Sequence, residues 1–486
     1  MTRRMIALLL SCAVPVAALT IGTAAQAPDR STPPATGAAP ALTLPEIQKR
    51  QLSNGLPVWV VGLHEVPLVQ VNLVVRSGTA ADPPGRFGIA SLTAAMLPEG
   101  AGNRSSLQIA DDIDFLGASL SASSGIDSAA VRLQVPVARL ADALPIMADV
   151  AQRPTFPAEE LERVRQQRLT GLLQARDDPA TVASLAFSRV LYGTAHRYGT
   201  AAMGTADTIK AFTPEDLRAF HASSFRLEQA TLLVVGDVTT DALLPLLETS
   251  FGQWKPAAGA PAKVTLPQAR QPAHREVILI DKPDAAQSQI RIGWIGVPRS
   301  TPDYFPLEVM NTILGGSFTS RLNMNLREKR GYSYGAGSGF DMRAEAGPFS
   351  AAAGVQSDKT SESLTEFFNE LTGILDLVPA EELRRAKNYV ALRFPGGFET
   401  TGDISRRLEE VLVYNLPDDY FSQYVERVQA VTAADVQRVA RQYIDPARLA
   451  VVVVGDVKTI QPRIAALELG PIRTMTVDEV FAPAKP

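Results

Sequence analysis

Two stretches of this chain are almost the same: TLLVVGDV at 231–238 and AVVVVGDV at 450–457. Their glycines, Gly236 and Gly455, lie 219 residues apart, which is the period of a domain-sized duplication rather than of a short solenoid repeat. The text around them repeats too. Each copy opens on strand-like runs rich in valine and isoleucine, WVVGLHEVPLVQVNLVVRSG and then VILIDKPDAAQSQIRIGWIGV. LSASSGIDSAAVRLQV has a counterpart in YGAGSGFDMRAEAGPFSAAAGV, and FPAEELERVRQQRLTGLLQARDDPA has one in VPAEELRRAKNYVALRF. In the last pair a proline and two glutamates open a helical run, which suits the positive end of a helix. The alternation in SAAVRLQV predicts a strand with one face on a core. Strands mixed with long helices predict an α+β fold: two homologous domains, each a mostly antiparallel sheet with helices covering one face. The expected divisions are 43–253 and 277–486, joined by a proline-rich linker at 254–276.

At 486 residues and 46% hydrophobic composition there is material for more than one core. A net charge of -4 leaves no basic surplus, so no nucleic-acid partner is expected. The opening MTRRMIALLLSCAVPVAALTIGTAAQA has two arginines, an apolar run and small residues, the layout of a secretory leader. Cleavage after Ala25 is expected, with an uncleaved membrane anchor as the alternative. The only cysteine, Cys12, falls inside this leader, so a mature chain holds neither a disulfide nor a thiolate metal site. Residues 26–42 read as a flexible tether, and no later stretch is long and apolar enough to span a bilayer. An exported protein, periplasmic or membrane-associated, follows.

The stretch FGIASLTAAML at 87–97, with the duplication around it, carries a resemblance. The plan from about residue 44 to 471 resembles a subunit of the M16 metallopeptidases, the family of pitrilysin, insulin-degrading enzyme and the mitochondrial processing peptidases. Active members carry H-x-x-E-H on a helix, where two histidines four apart reach Zn²⁺ and the glutamate activates water. A glutamate on a later helix is the third ligand. The resemblance places the histidine positions on Ser91 and Ala95, the base position on Ala94 and the third ligand on Gly171, 76 residues beyond Ala95. Alanine and glycine carry no donor, and a single serine hydroxyl is a poor zinc ligand. The four histidines, His64, His196, His221 and His274, include no pair four apart and read as surface or turn residues. The acidic pairs Asp111-Asp112 and Asp177-Asp178 read as solvated helix faces or caps. No metal is therefore expected in this chain, and zinc is expected in a partner subunit.

The second copy holds GGSFTSRLNMNLREKRGYSYGAGSGF at 315–340. It is similar to the family's L-R-E-K-x-G-x-x-Y, whose arginine and tyrosine fall here on Arg327 and Tyr334. The resemblance implies that they reach across a chamber to hydrogen-bond peptide substrate and steady the tetrahedral intermediate. A guanidinium and a phenol suit a developing oxyanion, provided that a water-activating site stands opposite. Gly315 and Gly316 suggest a tight turn or close approach to bound peptide, and they lack the ending of a phosphate loop. The expectation is a complementary subunit of a zinc peptidase, paired with a chain that carries H-x-x-E-H. The alternative is an inert peptide-binding or assembly protein of the cell envelope. No Ser-His-Asp arrangement or nucleophile elbow supports a chain acting alone.

Overall fold

The twelve longer strands fall into two six-stranded sheets that repeat one topology. A computed structural model describes residue 37 and residues 45–259 and 264–483. The expected leader lies outside the described residues, as do most of the tether and positions 260–263 of the linker. The first sheet contains β1 (Gln48–Gln51), β2 (Pro57–Gly62) and β3 (Leu68–Val75). After a short hairpin of β4 (Gly100–Ala101) and β5 (Arg104–Ser105), it is completed by β6 (Ser119–Ser124), β7 (Ala129–Pro136) and β8 (Ala230–Gly236). The second contains β9 (Glu276–Asp281), β10 (Gln287–Ile295), β11 (Ser333–Phe340), β12 (Pro348–Gln356), β13 (Ala450–Gly455) and β14 (Ile472–Met475).

The order β2-β8-β3-β7-β6 in one sheet matches β9-β13-β10-β12-β11 in the other. In each, the strand bearing the repeated glycine pairs in parallel with the first strand of its copy, β8 with β2 and β13 with β9. The remaining pairs are antiparallel, apart from β14 alongside β9. The α+β expectation of two mostly antiparallel sheets with packed helices thus holds.

The helices that matter for the site are α1 (Ile89–Met96), α2 (Ser106–Phe115), α3 (Leu140–Gln152), α4 (Ala158–Asp177) and α5 (Pro179–Tyr192). Glu159 and Glu160 sit in the first turn of α4 and Arg176 in its last, each opposite in sign to its end of the helix dipole. Asp178 then accepts from the Thr181 amide at 2.9 Å and caps α5, whose first residue is Pro179. Asp-Asp-Pro is therefore a helix break that turns the chain. Asp112, in the other acidic pair, meets Arg104 at 2.9 Å.

That turn has a consequence which periodicity did not reveal. One face of the first sheet packs on helices of its own copy, with Val60, Val71 and Leu73 against Leu92, Met96, Leu144 and Met147. Its other face packs on a helix of the second copy, Thr401–Val413, through Val61, Val74, Leu233 and Val235 against Ile404, Leu408 and Leu412. The second sheet does the converse. Ile278, Ile280, Val452 and Val454 are covered by Val182, Ala183, Ala186 and Phe187 of α5. Helices thus cover both faces of each sheet, and one face in each case is covered by the opposite copy. This is why β8 and β13 are buried along their whole length and read as unbroken apolar runs.

Each large side chain in these exchanged contacts contributes about 1.5–3 kcal/mol by leaving water. Phe187→Ala is expected to lower stability by about 3–5 kcal/mol. Trp59 on β2 and Trp294 on β10 provide one fluorescent probe in each sheet. In single-tryptophan variants the two denaturation curves should shift together, and separate transitions would refute the interlocking.

Candidate functional site

The helix that carries the degenerate motif is pinned at its start by a buried ion pair. Asp82 accepts from the Gly88 amide at 2.6 Å and the Ala90 amide at 2.9 Å, so its carboxylate lies on the N-terminus of α1. Arg197 meets the same carboxylate at 2.9 Å. It also donates to the Thr79, Thr200, Ala201 and Ala202 carbonyls. Both side chains are almost wholly out of water, at 3% exposure for Arg197 and 0% for Asp82. Burial raises the Asp82 pKa and lowers that of Arg197, against the mutual attraction of the pair. Gly88 has φ +103°, and a Cβ there would meet the Met203 carbonyl at 2.4 Å, so only glycine fits the entry to α1.

Ser91 and Ala95 are one helical turn apart on α1 and are partly exposed, while Ala94 is buried. Gly171 lies on α4, which packs against α1, and a Cβ at Gly171 would meet nothing within 4 Å. The four positions drawn from the family motif are therefore on two neighbouring helices. What fills the place is Arg168, one turn before Gly171. Its guanidinium donates to Ser91 Oγ at 3.1 Å and to the Ser91 carbonyl at 2.7 Å. No carboxylate among the described residues pairs with it, and burial lowers its pKa to about 10. A single hydroxyl with a fixed cation against it does not fit a zinc ion, which needs several anionic or imidazole donors. Among the described residues no three His, Cys, Asp or Glu side chains cluster as metal ligands.

The histidine reading needs correction. His196 is buried at 4% exposure, accepts from the Tyr198 amide at 3.0 Å and packs among Tyr192 and Tyr198, so it is a turn residue but not a surface one. His221 is half-buried, stacks on Phe225 and meets the Ala151 carbonyl at 2.9 Å. Burial lowers the pKa of both. His64 is exposed and meets Asp237 at 2.7 Å.

Each sheet has an equivalent outer strand, and the two outer strands are finished differently. β6 pairs only with β7, and among the described residues no backbone bond closes its outer side. α1 packs against it, and Leu120 and Ala122 of β6, like Ala95 of α1, are partly buried against the first core. Ser119 and Ser121 face a cavity of about 570 Å³, also lined by Arg132, Arg406, Glu409 and Tyr414. The outer side of β11, by contrast, is partly closed by its own chain. Ser338 N donates to the Gly315 carbonyl at 3.1 Å, and Ala336 N donates to Asn323 Oδ1 at 3.2 Å. A Cβ on Gly315 would come within 2.3 Å of Ser338, and one on Gly316 within 2.7 Å of Asn311. The close approach that these glycines permit is thus to the protein itself.

Arg327 lies on a π-helical turn, Met324–Lys329, a geometry frequent at functional sites. It pairs with Glu328 at 3.2 Å and lies over the Phe318 ring at 4.8 Å. Tyr334 stands in an irregularity of β11 where the register with β12 shifts between Ser333 and Ala336. The Ser333 hydroxyl spans it, donating to the Gly354 carbonyl at 2.7 Å and accepting from the Gly335 amide at 3.0 Å. The tyrosine is 89% exposed. Arg327 and Tyr334 share one end of the second sheet, whereas Ser91, Ala94, Ala95 and Gly171 lie beside the first, and no hydrogen bond or ion pair among the described residues joins the two sets. Sequence reasoning missed Asp82, Arg168, Arg197, Asn323 and Ser333. Each of them contacts a residue more than ten positions away in sequence, and no local motif marks them.

Two interlocked copies of one α/β unit, an open sheet edge beside a donorless motif helix, and an Arg/Tyr pair on the other copy define a peptidase-type scaffold. The family model for insulinase, peptidase family M16, matches residues 60–201, and that for the peptidase M16 inactive domain matches residues 211–390. The chain belongs to peptidase family M16. It is 25% identical over 81% of its length to a Rickettsia bellii protein described as an uncharacterized zinc protease, of which it covers 93%. Among solved structures it resembles a peptidase M16 inactive domain from Pseudomonas fluorescens, with TM-score 0.78 and 28% identity, over 84% of this chain and 98% of that one. A Helicobacter pylori protease shares the fold at TM-score 0.78 and 20% identity, over 85% of this chain and 100% of the other.

Two outcomes follow for the site. Asp82→Ala leaves Arg197 buried without a partner and is expected to cost about 3–5 kcal/mol in chemical denaturation, with Asp82→Ala/Arg197→Met recovering part of the loss. The variant Ser91→His/Ala95→His/Gly171→Glu should take up zinc, measured by elemental analysis, only when Arg168 is also replaced by Met. Full loading with Arg168 in place would show that the guanidinium does not block the position.

Proposed function

We propose that this chain is the complementary subunit of a two-chain M16 peptidase, exported to the cell envelope by the leader at residues 1–25. A partner with H-x-x-E-H supplies Zn²⁺ and the general base. This chain supplies half of the chamber, the β6 edge for extended peptide, and Arg327 and Tyr334 for the scissile carbonyl of a peptide at the partner's zinc. The observation that carries this reading is Tyr334: a tyrosine held 89% exposed on a locked strand irregularity, in the strand that follows the π-turn of Arg327, serves no packing role in its own chain. Gly315 and Gly316 contribute by holding the segment before Arg327 against β11, and their contact with substrate belongs to the same proposal.

The chemistry divides naturally. An added peptide strand is held through its backbone, which reads shape more than sequence. The guanidinium and phenol then act where negative charge develops on the scissile carbonyl oxygen, and they are useful only opposite an activated water. A second reading, an inert peptide-holding protein, is favoured by the open β6 edge alone, since strand addition needs no partner.

Affinity capture of the full chain from its own envelope, with zinc determined per complex, tests the pairing. One H-x-x-E-H chain and one zinc for each copy is the expected result. In the reconstituted pair, Arg327→Ala is expected to lower kcat by about 10²–10³ with little change in KM. An unchanged kcat, or recovery of the chain without any such partner, would overturn the catalytic reading in favour of the peptide-holding one.

A further inference from the structure

We propose that Arg168, seated on Ser91, is a carboxylate-binding group that selects peptides bearing a negative charge. The inference rests on the reading that β6 receives an extended peptide. Arg168 reaches from α4 to α1 and gives two hydrogen bonds to one serine, fewer than a guanidinium can donate. The other arginines of the site and the cavity each face a carboxylate: Arg197 has Asp82, Arg132 has Glu409, Arg406 has Asp403 and Arg327 has Glu328. Arg168 has none among the described residues, although it is withdrawn from water far enough for its pKa to fall. A partly desolvated cation without a counter-charge is costly by itself and gains from an anion that arrives with its ligand.

The surroundings leave room for such an anion. Ala95 follows Ser91 by one turn, and Gly171 follows Arg168 by one turn with open space where a side chain would stand. Beside the Arg168 guanidinium, α1 and α4 thus present small residues, with open space at Gly171. Side chains of a strand alternate between faces. Of a strand laid along the free side of β6, alternate residues turn toward α1 and the rest toward the cavity lined by Arg132 and Glu409. A carboxylate turned toward α1, from an Asp or Glu side chain or from the peptide's own C-terminus, meets Arg168 in a charge-assisted pair. The fork of the guanidinium suits a carboxylate better than a single carbonyl oxygen.

The test uses the full chain and a fluorescein-labelled decapeptide of alanine, serine, threonine and valine in three forms: C-terminal amide, free C-terminal carboxylate, and amide with one central glutamate. Fluorescence anisotropy gives Kd for each. At least one charged form is expected to bind about tenfold or more tighter than the neutral amide; which of the two does so identifies the source of the carboxylate. Arg168→Gln should remove that preference while leaving binding of the neutral peptide in place. Gly171→Glu provides an independent variant, because it keeps the arginine and sets an internal carboxylate one turn from it; it too should erase the preference. Equal binding of all three peptides, or a preference that survives both substitutions, overturns the proposal and leaves the peptide-holding role standing. Failure of every peptide to bind overturns both.

Discussion

The exchange of one helix between the two copies is the contact on which the rest of the structure depends. A sheet whose two faces are both apolar must find two covers, and each copy supplies one of them to the other. α5 leaves its own copy to lie on β13 and β10, and Thr401–Val413 leaves its copy to lie on β8 and β3. Neither sheet is complete without the other, so the duplication yields one cooperative unit from residue 45 onward rather than two beads on a linker. The Asp-Asp-Pro break ahead of α5 is the local device that permits the crossing, because it stops α4 and caps the next helix in two residues.

Once the copies are locked together, duplicated elements are free to diverge in use. The outer strands β6 and β11 hold equivalent places, yet the first keeps an open backbone edge and the second is partly closed by Gly315 and Asn323. An open edge is a standing invitation to another strand, which natural proteins normally block. Here the unblocked one lies beside α1, and the partly blocked one carries Tyr334 outward, with Arg327 on the turn that precedes it. An open edge and a partly closed one thus stand on one compact unit.

The helix α1 shows what is retained when a motif loses its donors. Its N-terminus is still held by the buried Asp82–Arg197 pair, an arrangement whose desolvation cost is met only by good geometry and further hydrogen bonds. The scaffold of the site is therefore intact while its ligands are not. A positive charge is still found there, on Arg168 instead of on a metal, and a fixed guanidinium binds carboxylates but does not activate water.

The sequence by itself determined the duplication, the strand content, the family and the absence of ligands at Ser91, Ala94, Ala95 and Gly171, because each is a matter of residue identity or of short-range pattern. It also marked Arg327 and Tyr334, whose spacing survives in a local run. It left the sheet edge unassigned and read His196 as a surface or turn residue without showing that the turn is buried, since burial of a turn depends on what other segments pack over it. Only the tertiary structure decided that α5 crosses to the opposite sheet, that Asp82 meets Arg197, that Arg168 covers Ser91 and that β6 rather than β11 stays open. Those contacts join residues from tens to hundreds of positions apart, and hydrophobic periodicity specifies which face of an element is buried without specifying the partner that buries it.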